Sequence, residues 1–474
     1  MIRAVPRIRE KGNGGGPVIL RGDDYGFVQG VGMSRYGASL LAGLIACLLV
    51  AAAPAAFCAE EYSLDDLTRI ALARSERLKV AEENLTIAEI GAEKARSYLL
   101  PRVTALAGYV QYSEKKVTPA GNVIQPDGVS SFGLRVDETL SLSGREFTAL
   151  DISKRGVTKS RYDLRAIRED YILRFVASAY YNVLLARKNL EIADANLERL
   201  TKYRDAAEKR LRIGEVTRTV LLRAEGELSG ARSDQLQAKN GLELAMAVLA
   251  NNVGLKGISA LQEDPLEEGE TPQMDFFQTL AFKARADLKS LEVQKQIAAD
   301  QMRYAEGAFW PTVSLSLVSA GADQYPPTGN LVRDSFYAGI GLNFPFYEGG
   351  LRKAEMSEAK ARERQTALQY EDLKKGIEIE VRTTYLDLMT QKGILRFLND
   401  QLVFARDNYR AVARQFEYGL SNSLDVMDAN TLLVSAERKA VSATYNYQYA
   451  LLVMRKATGT LLTQHTVDNG KLAN

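Results

Sequence analysis

An internal duplication is the feature that most limits what this chain can fold into. When the sequence is shifted by 205 residues, the segment 176–254 aligns with the segment 381–459 without a gap. An upstream block repeats at a shift of 210 residues, where Pro101 aligns with Pro311. Internal repetition determines what one unit buries by itself and what it leaves for a neighbour. We therefore expect one pseudo-symmetric body made of two equivalent halves.

The repeats divide the 474 residues into five segments. The first repeat covers residues 60–254, a connector covers 255–273, the second repeat covers 274–462, and a tail covers 463–474. Residues 1–59 are predicted to be a leader and a secretory signal peptide, because an apolar stretch follows Arg35 and small residues follow that stretch. Translation is then expected to start at Met33.

The two cysteines, Cys47 and Cys58, lie in or beside the apolar stretch of the signal peptide. Cleavage between residues 53 and 59 leaves a mature chain with few or no cysteines, which excludes a disulfide framework and thiolate chemistry. Acylation of Cys47 is the alternative, because the Leu-Ile-Ala before it resembles a lipoprotein cleavage box.

Composition excludes several classes of function. The 61 basic and 59 acidic residues nearly cancel, and neither sign forms a long run, so the sequence has no nucleic-acid footprint. The single histidine, His465, lies in the tail, and the sequence has no phosphate-binding glycine loop before a lysine. We therefore expect no enzyme, no cofactor and no metal site.

Each repeat has the pattern helix, strand pair, long helix, helix. Strand pairs are predicted at residues 101–143 and 311–347, where apolar and polar residues alternate, with only Glu138 out of pattern. Helices near residues 145–213 and 351–418 follow, each on the order of 100 Å long if straight. Both keep one heptad register, which is typical of coiled coils. The predicted fold class is mainly α with a small β part.

The mature sequence can enter a membrane only as strands, because no run of about 18 apolar residues occurs after residue 60. Strands with one apolar face survive in lipid inside a closed barrel. Four strands per chain cannot close one, so several chains are expected to pool their strands. The alternative is a soluble protein whose sheet packs its apolar face on helices.

The repeats differ at the bend that follows each long helix. Asp425 and Asp428 of the second copy replace Val220 and Arg223 of the first. Three residues apart near a helix N-terminus, the two carboxylates interact favourably with the helix dipole, so capping and solvation are one explanation. The other is an acidic ring at the narrow end of a tube, which selects cations or pairs with Arg218.

Four motifs occur in a fixed order within the duplicated chain: LLPRV at 99–103, FWPTV at 309–313, LNFPFYEGG at 342–350 and YGLSNSLDVMDA at 418–429. In this order they resemble the motifs of the TolC-type outer-membrane efflux protein family. The resemblance covers about residues 62–462. It implies a homotrimer whose twelve-stranded barrel lies in outer-membrane lipid and continues as an α-helical barrel in the periplasm. It also implies a periplasmic adaptor and an inner-membrane pump or ABC transporter as partners.

The resemblance also assigns candidate site residues. The closed entrance and the adaptor-docking tips of the family correspond to the bends at Gly214–Glu215 and Gly419–Leu420. The acidic constriction of the family corresponds to Asp425 and Asp428.

The family's constriction-linking aromatic and basic positions are Phe416 and Ser421 in this chain, so neither supplies the polar links expected of Tyr and Arg. The implied function is a passive exit duct for tripartite efflux or type I secretion. A periplasmic coiled-coil scaffold or adaptor with small β modules is the alternative.

Overall fold

Two helix-and-strand repeats pack side by side in the computed structural model, which describes residues 61–263, 265, 272–327 and 333–462. The predicted leader and signal peptide (1–59) and the tail (463–474) lie outside the described residues. Among the helices of the described segments, none combines the length and the apolar character needed to cross a membrane.

The first repeat follows the predicted order, but its first helix is divided. Strand β1 (Glu61–Tyr62) precedes helices α1 (Leu64–Arg74) and α2 (Glu76–Ser97), which are separated because Ser75 adopts an extended conformation (φ −62°, ψ 124°). Ser63 and Asp66 form a capping box at the start of α1. The remaining elements are β2 (Arg102–Gln111), β3 (Lys116–Val117), β4 (Val123–Gln125), β5 (Gly128–Ser141), α3 (Arg145–Tyr171), α4 (Ser178–Arg212) and α5 (Arg218–Val253).

The second repeat has the same order, and its first helix is divided in the same way at Arg285 (φ −61°, ψ 127°). Its elements are α6 (Met274–Ala284), α7 (Ala286–Glu306), β7 (Thr312–Tyr325), β8 (Asp334–Asn343), α8 (Leu351–Glu417) and α9 (Ser423–Ala457). In the connector, β6 (Ala260–Leu261) pairs in parallel with β1. The sequence did not predict this pairing, which ties the start of the first repeat to the connector.

The offset between the repeats changes along the chain for two structural reasons. Between its proline and the glycine before the long helix, the second hairpin is four residues shorter than the first (Pro311 to Gly350 against Pro101 to Gly144). One further residue is absorbed by a π-helical segment at Ile172–Ala177, between α3 and α4, whereas α8 is continuous. A π-bulge accommodates one extra residue and leaves the coiled-coil face in register on both sides.

The four long strands form one antiparallel sheet in the order β2-β5-β7-β8. The pairing of β5 with β7 joins the two repeats. Its register aligns apolar residues into rows across all four strands, as in Val103, Val136, Leu317 and Ala338. The adjacent row lies on the opposite face and is polar: Arg102, Asp137, Ser316 and Gly339. The predicted alternation is confirmed.

The apolar face of this sheet is uncovered. Phe336, Ile340 and Leu342 of β8 are 76%, 80% and 67% exposed. Glu138 lies on this face opposite Leu315, as the alternation predicted. Within the described part of the chain, β2 and β8 each have a strand on only one side.

The helical core lies where the two repeats meet. Val176, Tyr180 and Leu184 are almost completely buried in a cluster that also contains Tyr445 and Leu452 of α9. Apolar burial of this extent is the main term that holds the helices together. The contact between α4 and α9 therefore positions the bend of the first repeat beside the bend of the second.

Candidate functional site

The candidate site consists of the two bends at which the long helices end. In the first bend, the N–H of Gly214 donates to Leu211 O (3.1 Å) and the N–H of Glu215 donates to Arg210 O (2.9 Å). These two bonds form a Schellman motif, which requires a positive φ at its glycine. Gly214 has φ 78°, and a Cβ there would meet no atom within 4 Å, so a substitution costs backbone strain alone.

The second bend repeats this geometry bond for bond. Gly419 (φ 73°) donates to Phe416 O (3.0 Å), and Leu420 donates to Gln415 O (2.8 Å). The space around Gly419 is equally open. The two bends are thus equivalent in backbone and differ only in the side chains that they carry.

The helices that leave the bends begin differently. Thr217 precedes α5 without a side-chain cap, whereas Asn422 and Asp425 form a capping box at the start of α9. Asn422 Oδ1 accepts from the N–H groups of Leu424 (2.8 Å) and Asp425 (2.9 Å). Asp425 Oδ2 accepts from Asn422 N (3.3 Å) and from Ser421 Oγ (3.0 Å). Asp425 and Ser421 therefore take part in a helix cap.

Asp425 and Asp428 are both exposed, one turn apart on α9. Arg218 is exposed at the start of α5 and forms no ion pair with either carboxylate within the described residues of one chain. A single chain brings the two carboxylates together but not the arginine. An acidic ring would need further copies of the chain around a common axis.

Phe416 is the buried residue of the second bend, with 7% of its surface exposed. Its ring centroid lies 5.4 Å from that of Tyr203, and the guanidinium carbon of Arg210 lies 4.4 Å from the same ring. Arg210 also donates through Nη2 to Glu417 O (2.9 Å), and its Nε lies 3.8 Å from Glu215 Oε2. One arginine of the first repeat thus holds the bend of the second by a cation–π contact and a hydrogen bond.

Tyr203 strengthens the same contact. Its hydroxyl donates to Ser423 O (3.5 Å), the first residue of α9. Burial raises the pKa of Tyr203, and this outweighs the opposing effect of that hydrogen bond. The hydroxyl consequently remains a neutral donor at physiological pH.

A buried polar layer lies further along the same pair of helices. Asn430 Nδ2 donates to Asn196 Oδ1 (2.8 Å). Arg199 donates through Nε to Asn430 Oδ1 (3.1 Å) and through Nη2 to Glu437 Oε2 (3.3 Å). Buried polar groups are favourable only when their hydrogen bonds are made, so this layer favours one register of α4 against α9.

Sequence reasoning missed Arg199, Tyr203 and Arg210, although a signal for them exists. At the matched positions 205 residues later the chain has Phe404, Asn408 and Gln415. The asymmetry between copies that singled out Asp425 and Asp428 therefore marks these residues too. Their partners could not be found in this way, because the contacts join the two repeats.

No group of three or more His, Cys, Asp or Glu residues is arranged to hold a metal ion in the part of the chain that the structure describes. The site consists of two glycine bends, an exposed acidic pair, and an arginine that joins the bends.

Comparison with known families identifies the family of the chain. A family model described as Outer membrane efflux protein matches residues 67–255 and 279–460, one match for each repeat. The chain belongs to this family. Its two matched segments cover both the hairpins and the bends.

Several relatives are similar to most of the chain. Outer membrane protein TolC of Vibrio cholerae is 23% identical over 381 residues, which cover 79% of this chain and 85% of the relative. Proteases secretion protein PrtF of Dickeya chrysanthemi is 24% identical over 428 residues, covering 86% and 90%. Pyoverdine export outer membrane protein OpmQ of Pseudomonas aeruginosa is 26% identical over 415 residues, covering 84% and 85%.

Solved structures support the fold. The outer membrane protein VceC of Vibrio cholerae superposes with a TM-score of 0.72 at 20% identity, covering 84% of this chain and 96% of VceC. The Campylobacter jejuni CmeC outer membrane channel gives a TM-score of 0.73 at 18% identity, covering 87% and 90%. At these identities the likeness shows the fold alone.

Proposed function

We propose that the protein is the outer-membrane exit duct of a tripartite efflux or type I secretion system. The observation that carries the proposal is the uncovered apolar face of the β2-β5-β7-β8 sheet. Its strands are 10 to 14 residues long, which suffices to cross an outer membrane at a tilt. Side chains as exposed as Ile340 are stable on such a face when lipid covers them.

The free edges of the sheet support assembly with identical copies. In lipid, an unpaired strand edge leaves backbone groups without hydrogen bonds, which costs several kcal/mol for each group. The two edges, β2 and β8, are different surfaces, so one copy joins the next head to tail, and such contacts can close into a ring. Because the strands alternate in direction, β8 meets the β2 of the next copy antiparallel. Three copies provide the twelve strands of the proposed homotrimer.

Beneath the sheet, the helices continue the duct toward the bends. The exposed apolar residues Ile213, Tyr418 and Leu420 surround the bends. Exposed apolar groups at a helix tip are typical of protein-binding surfaces. We assign Gly214, Glu215, Gly419 and Leu420 to docking of a periplasmic adaptor.

The duct performs no chemistry of its own in this proposal. An inner-membrane pump or ABC transporter supplies the energy, and the adaptor couples it to the duct. The relatives' names include protease secretion for PrtF and pyoverdine export for OpmQ, so the family contains both polypeptide and small-molecule ducts. The cargo of this chain is left unassigned.

Reconstitution tests the proposed function. The mature chain, extracted in detergent, is expected to have the mass of a trimer and to conduct ions across planar lipid bilayers. A chain that stays soluble without detergent as a monodisperse monomer would contradict the proposal. That result would favour the periplasmic scaffold instead.

The entrance is proposed to be closed by the contact of Arg210 with Phe416 and lined by Asp425 and Asp428. We expect Asp425→Ala combined with Asp428→Ala to lower the preference for cations and the block by multivalent cations, because it removes the charges of the ring. Bilayer reversal potentials measure this change. Asn422→Ala is the matched control, since it removes the helix cap but keeps both carboxylates. Equal selectivity in the double variant and in the wild type would leave the carboxylates with a capping role only.

A further inference from the structure

One carboxylate interrupts the apolar face of the β2-β5-β7-β8 sheet. Glu138 of β5 lies on this face, directly opposite Leu315 of β7, and it is only partly buried. Its side chain makes no hydrogen bond and no ion pair with any residue of the part of the chain that the structure describes. An ionisable side chain on a lipid-facing surface is costly unless a partner meets it, so we expect Glu138 to have a partner outside the chain.

The sheet itself offers Glu138 no cation. Because side chains alternate between the two faces, the register of the four described strands places no lysine or arginine on the apolar face. Arg102 and Arg135 lie on the polar face, where Arg135 Nε is 2.7 Å from Asp137 Oδ1. The strand arginines are therefore separated from Glu138 by the sheet.

The duplication gives the level of Glu138 along the strands. Asp137 pairs with the first residue of β2, just as Asn343 pairs with the first residue of β7. Glu138 and Phe344 are the next residues in sequence. The two side chains therefore occupy equivalent levels in their hairpins, at the end of the sheet that joins the long helices.

Exposed aromatic side chains mark this level. Phe344 packs edge to face on Phe346, with ring centroids 4.9 Å apart. Trp310, Phe346 and Tyr347 are 59%, 90% and 86% exposed. Belts of exposed aromatic residues lie at the headgroup level of a bilayer. In the proposed duct, Glu138 therefore faces the headgroups of the periplasmic leaflet and not the hydrocarbon interior.

We propose that Glu138 binds the primary ammonium group of an ethanolamine lipid in the periplasmic leaflet of the outer membrane. The ammonium donates hydrogen bonds to the carboxylate, and apolar neighbours on the same face, such as Leu315, contact the acyl chains of that lipid. A homotrimer carries three such sites. The inference rests on the membrane-spanning sheet of the proposed function and deepens it by naming a lipid class.

The charge and the position of Glu138 favour this lipid over other partners. A carboxylate attracts an ammonium group and repels the net negative headgroups of anionic lipids. A choline headgroup has the same positive charge but no N–H group to donate. Strand β5 lies between β2 and β7 of its own chain, so the site is not at a boundary between copies. A membrane lipid is consequently the occupant.

Native mass spectrometry of the detergent-extracted trimer tests the site. Ethanolamine and choline lipids with identical acyl chains are added in equal amounts, and the lipids retained by each trimer are counted. We expect the wild type to retain ethanolamine lipid about fivefold better than Glu138→Gln, which is what an exposed ion pair provides. Both proteins should retain choline lipid equally. Equal retention of ethanolamine lipid by the two proteins would overturn the proposal.

Two further variants separate this effect from changes in folding, with light scattering to verify the trimer. Glu138→Phe introduces the residue that the second repeat has at the equivalent level, so it should form trimers that have no preference for ethanolamine lipid. Asp323→Asn removes a carboxylate at the other end of the same face, where Arg333 Nε lies 3.6 Å away, and should keep the preference. Loss of the preference in Asp323→Asn as well would overturn the assignment to Glu138. A conducting trimer without the preference overturns this site alone, whereas a soluble monomer contradicts the proposed function.

Discussion

The two repeats build the same junction with different chemistry. In the first repeat, the break at Ser75 meets the end of α5 and the π-helical segment. Tyr171 Oη donates to Asn252 O (2.6 Å), and Asn252 Nδ2 donates to Phe175 O (2.8 Å). The guanidinium of Arg77 lies 4.6 Å from the Phe175 ring centroid. This junction is held by neutral hydrogen bonds and one cation–π contact.

In the second repeat, Arg285 occupies the position of Ser75 and the junction is ionic. Its guanidinium pairs with Asp287 Oδ2 (2.6 Å) and Glu380 Oε2 (2.6 Å), and it donates to Ala457 O (3.2 Å) at the end of α9. Lys456 lies 3.4 Å from Glu380. A buried guanidinium with two carboxylates thus replaces the aromatic contact of the first junction.

The comparison shows that the fold requires hydrogen-bond donors at each junction but does not require a particular residue type. Both junctions must supply hydrogen-bond donors to the carbonyl groups at the end of the helix that returns from the bend, which is α5 in the first repeat and α9 in the second. The first junction must in addition satisfy Phe175 O, because a π-helical segment redirects backbone hydrogen bonds, and Asn252 supplies that donor. The continuous helix α8 has no such need, and the residue matched to Asn252 is Ala457.

Breaking the ionic junction is expected to have the largest effect. Arg285→Ala removes the ion-pair partner of Asp287 and leaves Glu380 with Lys456 alone, so it should lower the free energy of unfolding by about 2 to 4 kcal/mol. The loss is kept moderate because each carboxylate side chain is 36% exposed. Thermal loss of the helical circular dichroism signal measures it. Ser75→Ala is the matched control and should change little; equal effects would remove the distinction between the junctions.

Acid should weaken the second junction and spare the first. Burial alone would raise the pKa of Asp287, but the hydrogen bond and charge of Arg285 outweigh it and lower this pKa. Its stabilisation is therefore present above the unfolded-state pKa and is lost as pH falls through the folded-state value. Asp287→Asn should flatten the decrease in melting temperature between neutral pH and about pH 3. An unchanged acid profile in this variant would contradict the assignment.

Glu169 pairs with Arg165 beside these junctions. Its pKa shifts in the direction opposite to that of Asp287. Burial raises its pKa despite the hydrogen bond from Arg165. Its contribution is present below the unfolded-state pKa and is lost as pH rises through the folded-state value. The dependence of the melting temperature on pH in Glu169→Gln distinguishes the contribution of this carboxyl from that of Asp287.

The stability of the first junction should depend on the side-chain amide of Asn252. Asn252→Ala removes the donor to Phe175 O and should cost about 1 to 2 kcal/mol, the usual penalty for a buried acceptor left unsatisfied. Chemical unfolding followed by circular dichroism measures the difference. The neighbouring variant Asn251→Ala serves as the control, because that side chain is exposed. No difference between the two variants would show that the π-helical segment needs no cap.

The smallest effect is expected at the bends. Asn422→Ala should destabilise the start of α9 by about 1 kcal/mol, because it removes the side-chain cap. Thr217→Ala should have almost no effect, since that side chain makes no capping hydrogen bond. Hydrogen exchange of the first turns of α5 and α9 measures both. Similar hydrogen-exchange rates in the first turns of the two helices of the wild type would contradict the expected difference in capping between α5 and α9.

Much of the fold was predictable because its signals are local. The strand alternation, the two long helices and the glycine bends were predicted, and the structure contains all of them. The breaks at Ser75 and Arg285 were missed because neither residue is a glycine or a proline. The π-helical segment was missed because one extra residue in a helix leaves no compositional signal.

The candidate site was less predictable. The two carboxylates were identified from the asymmetry between copies. The structure shows that Asp425 takes part in the helix cap, and the acidic ring stays a prediction. The contact of Arg210 with the second bend joins residues more than 200 positions apart, and no sequence pattern links them. The resemblance mapped the family's linking positions onto Phe416 and Ser421, neither of which supplies the expected polar links. In the structure, the arginine that contacts Phe416 comes from the other repeat.

The sequence by itself determined the duplication, the order of helices and strands, and which face of each strand is apolar. These properties follow from periodicities of two and three and a half residues, which depend on near neighbours. Only the tertiary structure decided which repeat supplies the arginine at each shared contact, and which of the two long helical segments contains a π-helical turn. Those outcomes depend on packing between segments distant in the chain, where a single buried charge can select one partner and exclude another.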